Sequence, residues 1–248
     1  ETPFAALVEK LIGGATIQEL KSELQSGIAT LDAETDKLLF GPMIPRLSAL
    51  DDIPSPYLAG MMDQWFDGTY HPYIQAGRGC PYACTFCSEG YGYYNKVIKR
   101  KDLAEELKYI AERVGEVNDL CFTDSNFGMF KEDVENARVL AQIQKQYDWP
   151  GRITASVGKN QKARILEVAS ILGGAMLVGG AMQSTDKEVL KNVKRSNISL
   201  EELGSRGSND QEDMDSYTEL ILALPGDSIE THTKSLKDMV ATGVGTIK

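Results

Sequence analysis

With 248 residues, 42% of them hydrophobic, the chain can bury the core of one large domain or two small ones. A formal net charge of −10 argues against wrapping nucleic acid, which rewards basic stripes, although a nucleotide-sized substrate stays open. The text carries neither the roughly 18-residue apolar run of a membrane helix nor a secretory pattern, so the expected compartment is the cytoplasm, where cysteines stay reduced for metal or redox work.

In chain order, residues 1–60 read as a helical segment and linker. "PFAALVEKLI" (3–12) predicts an amphipathic helix, a second covers 16–26, and Pro42, Pro45, Pro54 and Pro56 predict an extended linker over 41–60. Residues 61–248 read as the second domain. "YIQAG" (73–77) is a short strand running into the cysteines. Helix and strand then alternate: helix 101–115, strand 119–126, helix 131–147, strand 151–158, helix 162–174, strand 175–184, helix 185–193, strand 217–226, helix 228–243 and a last strand from 244. Such alternation implies right-handed βαβ units and a parallel sheet. The number of units predicts an α/β fold, a partial (β/α) barrel of about six parallel strands, with its chemistry at the strands' carboxyl ends. The polar text falls there: Cys80 to Cys87, Asp124 to Asn126, Ser156 to Asn160, Gln183 with Ser184, and Pro225 with Gly226. Any one such cluster is ordinary for a loop; together they predict one assembled site.

"GRGCPYACTFCSEG" (77–90) holds three of the four cysteines as Cys80-x3-Cys84-x2-Cys87. A structural zinc site needs four ligands, and electron-transfer clusters normally take four thiolates. Cys121 sits in an apolar strand, and His71 lies nine residues upstream of Cys80. Either could complete a non-catalytic iron–sulfur or zinc site. Without them, three thiolates on a four-iron cluster leave one iron open, as catalysis requires. The two histidines, His71 and His232, leave little for a hydrolytic triad, and no Gly-x4-Gly-Lys phosphate loop occurs. "YGYYNK" (91–96) is an aromatic cluster that either covers the site or packs beside it.

The cysteine spacing, with Phe86 immediately before the last cysteine and placement after the first strand of a βα repeat, resembles the signature of the radical S-adenosylmethionine (radical SAM) superfamily. The resemblance implies a 4Fe-4S cluster on Cys80, Cys84 and Cys87 whose open iron chelates S-adenosylmethionine. One electron cleaves the sulfonium, and a 5′-deoxyadenosyl radical takes hydrogen from a small-molecule substrate. It also implies a reductant such as flavodoxin or ferredoxin, and no catalytic side chain is assigned beyond the cluster. "AMQSTDKEVLKNVKRSN" (181–197) is similar to the Gln-Ser…Leu…Arg stretch of that family, which implies Gln183 and Ser184 near the ribose and Arg195 at the carboxylate. A solvated helix-end arginine would read the same. "TDSNFG" (123–128) stands where the family binds the methionine amino group, so Asp124, Ser125 and Asn126 are candidates, although the familiar Gly-Gly-Glu is absent. "ALPGDS" (223–228) resembles the family's turn near adenine, implicating Leu224, Pro225 and Gly226, and Ser156 in "ASVGKN" (155–160) is placed at the substrate or methionine end.

The opening helix, the "IPRLSALDDIPSPYL" linker (44–58) and the cysteine strand are similar to the junction in cobalamin-dependent members, where a cobalamin-binding domain comes first. No Asp-x-His-x-x-Gly of that domain occurs here. The expectation is therefore a fragment at both ends, with cobalamin, if used, held by a domain outside this chain.

Overall fold

The computed structural model describes residues 2–32, 34–90, 92, 94–176, 179–199 and 217–248. The chain divides into two compact units, Glu1–Leu47 and Ser48–Lys248.

The first unit holds α1 (Thr2–Ile12), α2 (Ile17–Ser22) and an antiparallel pair, β1 (Ala29–Asp32) with β2 (Lys37–Phe40). Thr16 and Glu19 cap α2 reciprocally: the Glu19 amide donates to Thr16 Oγ1 at 3.2 Å and the Thr16 amide to Glu19 Oε2 at 2.8 Å. The sequence reading assigned no strand here. The hairpin carries its apolar residues as "KLLF" without a clean alternation, so its period was not visible.

In the second unit, residues 48–72 are irregular yet packed, with short 3₁₀ turns at Leu50–Asp52 and Asp63–Trp65. Leu50 and Tyr57 are buried. Ser55 Oγ donates to Glu106 Oε1 at 2.5 Å, and the Tyr57 hydroxyl donates to the Tyr73 carbonyl and accepts from the Tyr73 amide, both at 3.0 Å. The proline-rich stretch from Ser48 onward is thus fastened to the domain rather than extended through solvent.

The remaining elements are β3 (Tyr73–Ile74), β4 (Gly77–Arg78), β5 (Ile98–Lys99), α3 (Ala104–Ala111), β6 (Asp119–Phe127), α4 (Lys131–Tyr147), β7 (Arg152–Val157), α5 (Lys162–Ile171), α6 (Lys187–Asn192), β8 (Tyr217–Thr218), α7 (Ile229–Ala241) and β9 (Thr246–Ile247). The order β3-β6-β7 forms a parallel sheet, and β8 pairs with β9 in parallel. Single parallel bridges, Ile153 to Met176 and Gln183 to Leu220, carry the same direction across the predicted fourth and fifth strands. The α/β class and the parallel pairing hold. Among the described residues, the predicted strands at 175–184 and 217–226 pair at Met176, Gln183, Leu220 and β8, and no pairing closes the sheet into a ring. Gln183 and Ala223 both take positive φ, at 65° and 60°, near the ends of these segments, and Gln183 keeps its bridge to Leu220.

The core lies on one face of the sheet. Leu120, Phe122, Ile153 and Ala155 point to that face and join Leu107 and Ile110 of α3, Leu140 of α4 and Val168 of α5 in one buried cluster. Cys121, Thr123, Ser125, Thr154 and Ser156 alternate with them on the other face, half-buried or exposed. Small polar side chains thus mark the face left for a ligand.

Leu140 is fully buried at the centre of this packing. Leu140→Ala should cost about 2–5 kcal/mol, since the cavity left behind adds to the lost transfer energy. Urea denaturation should show a lower midpoint at an unchanged slope.

Candidate functional site

The cysteine loop is the return between β4 and β5. Its base is an antiparallel ladder, Gly77 opposite Lys99 and Arg78 opposite Ile98, extended by the Cys80 amide donating to the Tyr94 carbonyl at 3.0 Å. Tyr91 and Tyr93 of the aromatic cluster lie outside the described residues. Cys80 and Cys84 are buried, Cys87 is half-buried, and none is in a disulfide.

From that base the loop reaches the carboxyl ends of several strands. Ser125, at the end of β6, donates to Glu89 two residues after Cys87. Tyr82 donates to Met129 Sδ at 3.0 Å, just past β6. Lys159, beyond β7, donates to Cys84 Sγ at 2.9 Å and lies 4.7 Å from the Tyr82 ring centroid. The Thr85 amide donates to the carbonyl of Val193 after α6 at 3.0 Å. Val193 packs with Val189 and Leu224, and Asn192 Nδ2 donates to the Pro225 carbonyl at 3.1 Å, which draws the 224–226 turn to the same end. A Cβ at Gly226 would stand 2.4 Å from Asn192 Nδ2, so this close approach and its positive φ require glycine.

Arg195 is buried at 8% exposure, which removes the solvated-charge reading. Its guanidinium donates to the Ala181 carbonyl and, through Nε at 2.7 Å, to Asn197 Oδ1. Burial pulls its pKa below the usual value, while the Cys84 and Cys80 sulfurs and Glu219 oppose that shift. Gln183 and Ser184 are buried beside this segment. Among the described residues, Gln183 Oε1 and Asn126 Nδ2 are buried without a hydrogen-bond partner. Such orphaned atoms are costly unless a ligand satisfies them. A narrow cleft opens here, lined in part by Lys159, Gly180, Ala181, Met182 and Asn197.

Phe86 is 38% exposed, and Ser156 lies on the polar face of β7. Asp124 and Asn126 are buried, unlike Ser125 between them. Lys159, Asn197, Tyr82 and Glu89 escaped the sequence reading. Only Lys159 carried a signal, the "SVGKN" stretch at a strand end. The four-ligand alternative needs His71 or Cys121 beside the three thiols. His71 Nδ1 lies 3.7 Å from Asp119 Oδ2 at the opposite end of β6, and Cys121 pairs with Tyr73 within the sheet, its thiol pKa raised by burial. Among the described residues, no three His, Cys, Asp or Glu side chains gather as a single metal ion requires.

Comparison with known proteins agrees with this arrangement. The family model described as the Radical SAM superfamily matches residues 74–204. Over 217 residues the chain is 32% identical to the cobalamin-dependent radical SAM methyltransferase TokK of Streptomyces tokunonensis, covering 82% of this chain and 31% of that protein. It is 34% identical over 212 residues to the 2-(S-pantetheinyl)-carbapenam-3-carboxylate methyltransferase of Streptantibioticus cattleyicolor, covering 80% and 30%. The chain therefore spans about a third of the length of these curated relatives. Among solved structures, the radical S-adenosylmethionine methyltransferase TsrM of Kitasatospora setae superposes with a TM-score of 0.62 at 16% identity, over 74% of this chain and 36% of that one. The chain belongs to the radical SAM superfamily. Membership implies a 4Fe-4S cluster and S-adenosylmethionine, and the residues present fit them: three unpaired thiols on one loop, two cations beside Cys84, and orphaned polar atoms at the strand ends.

Burial raises the Asp124 carboxyl to about 7, against the pull of Lys99 and the Ala76 amide. The folded chain then holds a proton that the unfolded chain releases between about pH 4 and 7. This contribution to stability is present at low pH and lost as pH rises through that window. Relative to Asp124→Asn, the parent chain should therefore be more stable at pH 5 than at pH 7.5, by an amount that urea melts at the two values measure.

Proposed function

We propose that this chain carries the core of a cobalamin-dependent radical SAM methyltransferase acting on a small molecule. The observation that carries the reading is the loop of Cys80, Cys84 and Cys87, on which Lys159 and Arg195 both meet Cys84 at one end of a parallel sheet. On this reading the described strand segments belong to a (β/α) barrel whose polar face looks onto the substrate. The methyltransferase and cobalamin assignment comes from the names of the relatives, and the cobalamin-binding part belongs outside the polar face and cysteine loop described above.

Cys80, Cys84 and Cys87 hold the cluster, and the Lys159 and Arg195 charges offset the thiolates' negative charge in a site shielded from water. Gln183 and Ser184 meet the ribose, Arg195 the carboxylate, and Ser125 and Asn126 the methionine end. Phe86, Ser156 and the Leu224–Pro225–Gly226 turn line the remainder. When bound, cluster and S-adenosylmethionine supply one-electron radical chemistry, and cobalamin supplies a methyl carrier. The chain's share is to bind, orient and exclude solvent. A flavodoxin or ferredoxin serves as reductant, in the cytoplasm. Among the described residues no helix is long and apolar enough to cross a membrane.

Anaerobic reconstitution with iron and sulfide tests this. The reduced chain should give a four-iron paramagnetic signal that changes on adding S-adenosylmethionine, and Cys84→Ala should lose most bound iron with its circular dichroism unchanged. A signal indifferent to S-adenosylmethionine, or stoichiometric zinc instead of a cluster, would overturn the reading.

A further inference from the structure

Two buried carboxyl groups, Asp124 and Asp133, flank the half-buried Lys99 ammonium beneath the cysteine loop. Asp124 Oδ1 accepts from the Ala76 amide at 2.8 Å, at the point where β3 gives way to the loop. Its other oxygen, Oδ2, has no hydrogen-bond partner among the described residues and stands 3.7 Å from Lys99 Nζ. Lys99 lies on the loop's returning arm and donates to Asp133 Oδ1 at 2.7 Å. It also sits 4.3 Å from the Phe130 ring centroid. Asp133 is fully buried, and its second oxygen accepts from the Phe130 amide at 3.0 Å, closing the first turn of α4. Gly77 completes the packing: a Cβ there would stand 2.7 Å from Lys99 Nζ and 2.9 Å from Asp124 Oδ2.

We infer that Asp124, Lys99 and Asp133 form a buried clamp fixing both arms of the cysteine loop to the ends of β6 and α4, which makes Asp124 a positioning residue for the thiols. The inference rests on the loop being the cluster site. Its physical basis is geometric. The outgoing arm is tied through Ala76, the returning arm through Lys99, and one carboxylate, Asp124, faces both. Burying two carboxylates with one ammonium is costly unless each group is satisfied, so the clamp tolerates little displacement. Asp124 contacts a backbone amide through one oxygen, and an asparagine amide oxygen can make the same contact. A carboxylate that instead received the amino group of S-adenosylmethionine would need its charge. The two roles therefore separate on one substitution.

The experiment uses the 248-residue chain with Asp124→Ala, Asp124→Asn and the double change Lys99→Met with Asp133→Asn, which removes the buried charge together with its partner. Hydrogen exchange on the metal-free chain reads the clamp without any cofactor. Asp124→Ala should speed exchange at residues 76–80 and 98–100 by at least about tenfold while leaving β7 and α5 at parent rates, and Asp124→Asn should stay within about threefold of the parent. After reconstitution, Asp124→Ala should bind several-fold less iron, and Asp124→Asn should retain both the iron and the spectral response to S-adenosylmethionine. Parent-like exchange and iron in Asp124→Ala would overturn the clamp. Parent-like iron with a lost response in Asp124→Asn would overturn it too, making Asp124 a ligand. If Asp124→Ala does not fold, the double variant decides, since parent-like exchange at the loop base in that chain refutes the clamp. A parent chain that forms no cluster sinks the functional reading while the exchange result still judges the clamp.

Discussion

An irregular loop carrying three thiols must be held still against strand ends by a chain that gives it little regular structure. Among the described residues the loop has two ladder pairs of its own, Gly77 with Lys99 and Arg78 with Ile98. A two-pair ladder is weak in isolation. Anchors from outside add to these: the Ala76 amide on Asp124, Tyr82 on Met129, Glu89 with Ser125, and Thr85 on Val193. Three of these anchors stand at the end of β6 or just past it and the fourth follows α6, while Lys159 reaches Cys84 from beyond β7. The site is therefore a product of the parallel order, which brings the carboxyl ends of successive strands side by side. β6 and β7 set that frame, pairing over Asp119–Phe122 with Arg152–Ala155.

The electrostatics run against the composition. The chain is acidic overall, with a formal charge of −10, yet Cys84 is met by an ammonium and a guanidinium. Net charge describes the surface and says little about a buried site. Lys159 and Arg195 arrive from two different connections, beyond β7 and beyond α6.

What the sequence discloses follows from how each feature is encoded. The helix at Lys131–Tyr147 and the strand at 119–127 are legible because long periodic runs carry their own signal. The three cysteines are legible because their spacing is local. The positive φ of Gln183 and Ala223 is not, because neither is glycine and no local signal marks them. Lys159 and Lys99 were missed for a related reason. A lysine in text reads as a solvated charge, and only the folded chain shows one reaching a thiol from 75 positions away and the other bridging two buried carboxylates.

The same contrast explains the residues at the end of β6. Alternation along a strand sends neighbours to opposite faces, so "DSN" is three residues in the sequence but two environments in the fold. Asp124 and Asn126 are buried, while Ser125 is only half-buried and reaches Glu89 on the cysteine loop. A motif read as one binding stretch therefore divides its labour. Ser125 meets the loop that carries the thiols, Asn126 keeps an unused donor, and Asp124 fastens the base from which that loop departs. Polar residues at one strand end thus both face the cysteine loop and fasten its base.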